Sequence, residues 1–222
     1  MHTLSHRRES PAQTEGRLIR WAWWYDAAAT LTSFGQARRL YALTVEHSLL
    51  KPGDSVLDVG CGTGGVTIPA KLRVGNQGAV AGIDPAPEMI AVARQKAKRA
   101  GLEIDFRVGV IEALPFPDQT FDAVTSSMMM HHLPKHVQVK GLAEIRRVLK
   151  PGGRLLIADM KRPSISPLKR FVTSILPHYG HAMHFGIEDL LPLLQEAGFE
   201  QVELLDDQVL RIGFVRARVG GE

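Results

Sequence analysis

The chain has 222 residues, of which 45% are apolar and 23% charged, with 27 basic side chains against 23 acidic ones for a formal charge of +4. That balance suits one ordinary domain with its own core and excludes disordered and collagen-like chains. No apolar run approaches the roughly 20 residues of a membrane span, and the lone Cys61 excludes an intramolecular disulfide or a multi-cysteine zinc site.

The start, Met1 to Glu9, is basic with no apolar stretch behind it, which argues against a cleaved signal peptide and for a cytoplasmic protein. Basic residues scatter (Arg7, Arg8, Arg38, Arg39, Arg146, Arg147, Arg211) instead of forming a run interleaved with aromatics, the pattern of a nucleic-acid binder. The plain expectation is a solvated surface, with an acidic partner or peripheral contact to an anionic membrane as the other reading. Residues 1–16 are polar and aperiodic, a disordered lead-in. Residues 17–50 read as a helical cap: Trp21, Trp24, Tyr25 and Ala28 share one face, Leu40, Leu43 and His47 another, and Ser33-Phe34-Gly35 separates the two helices.

From residue 51 to 222 the punctuation becomes regular. Ser55 to Val59 is a short apolar strand, Gly60 to Gly65 a glycine loop, and a helix follows to about Arg73, with Pro69 in its first turn or kinking it. Ala79 to Ile83 is a strand, and Pro87 to Ala100 a helix with proline at its start and Gly101 past its end. Ile104, Phe106 and Val108 alternate with polar residues, as in a strand near a sheet edge. Phe121 to Ser126 (strand), Val137 to Leu149 (helix), Arg154 to Ala158 (strand) and Glu188 to Ala197 (helix) follow. Val202 to Leu205 and Leu210 to Arg216 lie too close for a helical crossover and should pair antiparallel. The alternation predicts an α/β, doubly wound, Rossmann-like and mostly parallel sheet with an antiparallel C-terminal edge.

Val56-Leu-Asp-Val-Gly-Cys-Gly-Thr-Gly-Gly65 carries the most chemistry. A strand that runs into closely spaced glycines lets a ligand touch the backbone, with helix amides behind it. Gly60, Gly62 and Gly65 also spell the dinucleotide fingerprint, so the glycines alone leave the ligand open. Asp58 discriminates: a carboxylate there repels a pyrophosphate but favours a ligand bearing an ammonium or sulfonium charge. Asp84 ends the second strand, where a doubly wound fold places the acceptor of ribose hydroxyls; capping the helix that begins near Pro87 is the other use of that side chain.

On these residues the chain resembles the class I S-adenosylmethionine-dependent methyltransferases over nearly its whole length. Val56 to Gly64 and Gly82-Ile-Asp84 resemble their first two motifs; Leu114-Pro-Phe-Pro-Asp118 with Phe121-Asp122, and Leu149-Lys-Pro-Gly-Gly-Arg154, resemble the later ones. The resemblance is closer to the ubiquinone and menaquinone biosynthesis C-methyltransferases, through Tyr25-Asp26, Ser33-Phe-Gly-Gln-Ala-Arg-Arg39, and Asp159 with Arg162-Pro163. It implies S-adenosylmethionine as cofactor, no metal, and S-adenosylhomocysteine as product. Asp58 would face the methionine end, Gly60 and Gly62 would let the cofactor pass, Asp84 would hold the ribose, and Met89 would pack near the adenine. Tyr25, Pro85 and Ser127 complete the candidate cofactor set. Two departures stand out: the segment after Pro163 is shorter than in that family, and Val110 occupies the place of an adenine-binding aspartate, leaving backbone groups near Ile111 or the Glu112 carboxylate as substitutes.

Residues 160–187 read as a substrate cover. Met128-Met-Met-His-His132 follows the fourth strand at the ligand-binding edge, which makes His131 and His132 candidate bases, or else caps of the next helix. Trp21, Trp24, Met128 and Asp159 are candidate pocket residues, with core packing the other use of the tryptophans and methionines. His178, His181 and His184 lack the spacing of a zinc site. The expected activity is methyl transfer to a small, apolar acceptor, quinone-like, phenolic or lipid-like. A nicotinamide-dependent oxidoreductase and a non-catalytic cofactor-binding module are the alternatives. No nucleic acid is expected, because Thr125-Ser-Ser-Met lacks the Asn/Asp-Pro-Pro-aromatic signature of base methylation.

Overall fold

The computed structural model describes residues 36–162, 185–209 and 211–221. The lead-in, the tryptophan-bearing helix and Tyr25, and residues 163–184 of the cover segment with its three histidines lie outside them. Helix α1 spans Gln36–His47, β1 Ser55–Val59, α2 Thr67–Val74, β2 Ala79–Asp84, α3 Pro87–Arg99 and β3 Asp105–Val108. Then come β4 Phe121–Ser127, a 3-10 turn Met130–His132, α4 Lys135–Val148 and β5 Leu149–Met160. A second 3-10 turn at Ile187–Asp189 leads into α5 Leu190–Glu196, β6 Phe199–Val209 and β7 Ile212–Val219.

Among the described residues the strands form one sheet in the order β3-β2-β1-β4-β5-β7-β6. The first five are parallel, and β7 runs antiparallel between β5 and β6. The expected antiparallel pairing of the last two strands therefore holds, and the chain-terminal strand is the inner member of the pair. The strand order reverses between β1 and β4, so the crevice outside their carboxyl ends is where such a sheet takes a ligand.

Local chemistry explains the element boundaries. Pro69 is the third residue of α2, inside the first turn, where its missing N–H costs nothing. Pro87 opens α3, and Gly101 beyond its end has φ +68°. β3 sits at the sheet edge, as its alternating pattern requires. β5 is longer than the sequence suggests. Its Lys-Pro-Gly-Gly stretch belongs to the strand but is absorbed as an irregularity, because Phe121 pairs Leu149 and Ala123 next pairs Arg154.

The sheet is covered on both faces. Val56, Val80 and Ala123 pack on Ala70 and Val74 of α2, while Leu57, Val59, Val124 and Leu155 pack on Leu142 and Ile145 of α4 and Leu190, Leu193 and Leu194 of α5. Leu40 and Leu43 of α1 lie with Leu156, Ala158, Ile212 and Phe214, and the His47 ring meets Phe214 at 4.9 Å between centroids. The face predicted for Leu40, Leu43 and His47 is thus the one that α1 buries.

Candidate active site

β1 ends in the glycine loop, which is clamped to the end of β2: Gly60 and Cys61 N–H groups both donate to the Ile83 carbonyl, at 2.9 and 2.8 Å. Gly60 and Gly62 show what the loop leaves for a ligand. At Gly60 (φ +74°) a Cβ would lie 2.6 Å from Cγ of Met129, so that side chain closes over the loop. At Gly62 (φ +51°) a Cβ would meet nothing within 4 Å, so the backbone faces open space.

Asp58 is 1% exposed. Thr67 Oγ1 donates to its Oδ2 at 2.6 Å and Thr125 Oγ1 to its Oδ1 at 2.8 Å. Thr125 is its register partner on β4, and Thr67 starts α2. Burial pushes its carboxyl up to about 6, against the pull of the two hydroxyls. Burial, reinforced by Asp58 and Asp84, also pushes the Cys61 thiol up, which keeps it protonated and unreactive.

Asp84 combines the two uses considered for it. Its Oδ1 accepts the Ala86 N–H at 2.9 Å, ordering the entry to α3, and its Oδ2 accepts the Gly62 N–H at 3.0 Å. A carboxylate offers about four lone-pair sites, so each oxygen keeps one for a ligand hydroxyl. Burial raises its pKa, opposed by those two N–H groups. Met89 is buried with Ala86 and Val92 just beyond half-buried Pro85.

The loop after β3 hangs from β2 through Gly109 N–H to the Asp84 carbonyl, 3.2 Å. Val110 and Ala113 form a one-residue antiparallel bridge. Ile111 turns into the core, where it fills the space against Gly141 of α4. Glu112 Oε2 and Ser127 Oγ are buried and have no protein partner. The Leu114-to-Asp118 motif is held by α4: Glu144 accepts the Leu114 N–H, and Arg147 donates to the Leu114 and Phe116 carbonyls and to Asp118.

Beyond β4, Met128 adopts φ +57°, a conformation rare for a non-glycine residue and typical of strained functional edges. Its side chain packs with Leu40, Leu156 and Phe214 and not over the glycine loop, a position that Met129 takes instead. His131 and His132 lie in the following 3-10 turn with ring centroids 3.9 Å apart. Asp159, at the end of β5, is fully buried. His131 Nδ1 lies 2.6 Å from its Oδ1, and the backbone N–H of His131 donates to its Oδ2 at 3.2 Å. Asp159 thus faces His131 instead of lining open space.

The structure brings together Asp58, Gly60, Gly62, Asp84, Pro85 and Met89 around the glycine loop. Sequence reasoning missed Thr67 and Thr125; an unpaired buried acid beside two threonines at strand and helix ends was the available signal. It also missed the pairing of His131 with Asp159, which depends on β4 and β5 being neighbours in register. The open space above Gly62, the spare lone pairs of Asp84 and the unpartnered atoms of Ser127 and Glu112 fit a ligand that carries a diol and polar hydrogens, as S-adenosylmethionine does.

Comparison with known proteins agrees. Residues 56–153 match a methyltransferase domain family model. The ubiquinone/menaquinone biosynthesis C-methyltransferase UbiE of Salmonella paratyphi B is 33% identical over 201 residues, 81% of this chain and 79% of that protein. An S-adenosylmethionine-dependent methyltransferase from Aquifex aeolicus superposes with a TM-score of 0.67 at 24% identity, over 87% of this chain and 97% of that one. One from Methanosarcina mazei gives 0.65 at 25%, over 80% and 98%.

Proposed function

The chain belongs to the ubiquinone/menaquinone biosynthesis C-methyltransferase family and is an S-adenosylmethionine-dependent methyltransferase; from that premise we propose that it methylates a ring carbon of a small hydroxylated aromatic of the quinol type. The observation that carries this reading is a histidine held by a buried acid in the turn after β4, two residues beyond the Met129 that closes over the glycine loop. Phenolic C-methylation needs such a group, because the ring carbon becomes nucleophilic only as the hydroxyl gives up its proton.

When bound, S-adenosylmethionine supplies a methyl group on a sulfonium centre that is displaced in line. The roles of the chain follow from where each side chain stands. Asp84, with Gly62 and Ala86 N–H groups fixing its orientation, takes the ribose hydroxyls. Gly62 leaves room for the methionine portion, Gly60 lets Met129 close against the loop, and Asp58 sets a negative potential beneath it. Met89 and Pro85 flank the adenine, Glu112 replaces the aspartate absent at Val110, and Ser127 donates at the cleft floor. His131 takes the acceptor's hydroxyl proton; once the methyl is bonded, the ring carbon gives up its own hydrogen as a proton and the hydroxyl is restored, so one proton is released per turnover. Met129 with the sheet edge excludes water, so that much of the rate comes from positioning.

The acceptor fixes the redox state as well. A quinone has no hydroxyl proton to give and an electron-poor ring, so the substrate is the reduced form. The test is a panel of reduced and oxidised aromatic acceptors assayed for methyl transfer. His131→Ala should lower turnover by about 10²-fold or more while leaving S-adenosylhomocysteine affinity within twofold, and His132→Ala should cost much less. Equal losses at both positions, or methylation of the oxidised acceptors, would overturn the reading.

A further inference from the structure

The carboxyl group of Asp159 is fully buried, 0% exposed, and two backbone N–H groups and the His131 ring converge on it. Oδ1 receives the Met160 backbone N–H at 2.7 Å and stands 2.6 Å from His131 Nδ1; Oδ2 receives the His131 backbone N–H at 3.2 Å. One side chain therefore grips both the main chain and the ring of the same histidine. A carboxyl group already held by two backbone donors acts as an acceptor, which in the neutral imidazole puts the ring proton on Nδ1 and leaves the lone pair on Nε2. The turn that carries the ring is fixed independently, because Gln138 Nε2 donates to the Met130 and Leu133 carbonyls at 2.9 and 3.2 Å. The ring keeps 12% of its side-chain surface exposed, with His132 against it and Phe185 6.5 Å away between centroids.

We propose that Asp159 is a positioning residue which locks His131 in the Nδ1–H tautomer and thereby presents its Nε2 as the proton acceptor. The inference rests on the functional reading above for the identity of the proton, but the lock itself does not. Asp159 touches no acceptor: it is walled off by the residues it holds. Its effect passes through Nε2, which accepts the hydroxyl proton while the negative charge behind Nδ1 stays in place.

Histidine nitrogen NMR of the full chain reads the lock directly. The wild-type protein without added ligand should show His131 as the Nδ1–H tautomer at slightly alkaline pH, and S-adenosylhomocysteine should leave that assignment unchanged. Asp159→Asn keeps the shape but turns an NH2 group towards a donor in either orientation. It should shift His131 to the other tautomer or to an average, and lower kcat by about 10²-fold or more with cofactor affinity within twofold. Adding His131→Ala to Asp159→Asn should cost nothing further, because both act on one group. A wild-type His131 that carries its proton on Nε2, or additive losses in the double variant, would overturn the proposal. The wild-type spectrum needs no variant, so misfolding of Asp159→Asn cannot hide the answer. Should no hydroxylated aromatic be methylated while the Nδ1–H tautomer is found, the acceptor class falls and the lock stands.

Discussion

Burial lifts the Asp58 carboxyl to about 6 from an ordinary value of 3.8, so the folded state holds this proton more tightly than the unfolded one. The stability it contributes is then full below about pH 4 and is lost as pH rises through the window up to about 6. Its ionised form is tolerated above that because Thr67 and Thr125 donate to it. Asp58→Asn removes the penalty, so its stability relative to wild type should grow by about 2 kcal/mol between pH 4 and pH 8. Urea unfolding of both proteins across that range checks the sign, and a flat difference would contradict the buried-charge account. Asp84 is tested through binding instead. Its substitution by alanine should weaken S-adenosylhomocysteine binding at least tenfold, a loss of about 1.4 kcal/mol, with the thermal transition still cooperative. Calorimetric titration reads the first quantity, and unaltered affinity would remove Asp84 from the ribose role.

The elements show where sequence pattern suffices and where it does not. β1, β2 and α3 are legible almost to the residue, because their boundaries are set by local chemistry: an apolar run before Gly60, a proline at the start of α3, a glycine after its end. β5 is not, because Pro151-Gly152-Gly153 reads as a turn while the neighbouring strands draw it into the sheet. Nor is the support of the loop after β3. Leu114 to Asp118 is recognisable as a motif, but its anchor, Arg147, sits about thirty residues on and is indistinguishable in sequence from the Arg146 beside it. Arg147 bridges Glu144 and Asp118 and also donates to two loop carbonyls, whereas Arg146 donates to the Gly198 carbonyl. Arg147→Met should therefore destabilise the fold by about 1–3 kcal/mol and raise amide exchange in residues 109–118. Arg146→Met should cost distinctly less in the same measurements.

At the scale of the whole molecule, function follows from one topological fact: the strand order reverses between β1 and β4. That reversal opens the crevice beside the glycine loop, where Gly62 faces open space, and sets Thr125 beside Asp58 in register. The β4–β5 pairing, Ser127 against Ala158, brings Asp159 beneath the turn that carries His131. The parallel sheet and the glycine loop were readable from periodicity. The His131–Asp159 pair was not, since two residues 28 apart meet only through the register of adjacent strands, and nothing local in either segment encodes that. The same dependence explains why Asp159 resembles a pocket residue in sequence and proves to be buried support in the fold. Among the described residues no helix is long and apolar enough to cross a membrane. The central claim is carbon methylation of a reduced hydroxyaromatic ring, and the most direct test is to supply S-adenosylmethionine with an isotopically labelled methyl group and locate the label in the product by NMR. A labelled methyl bonded to a ring carbon, formed from quinols and not from quinones and nearly abolished in His131→Ala, is the predicted result. A label on oxygen or nitrogen, or no transfer by a protein that binds S-adenosylhomocysteine, would contradict it.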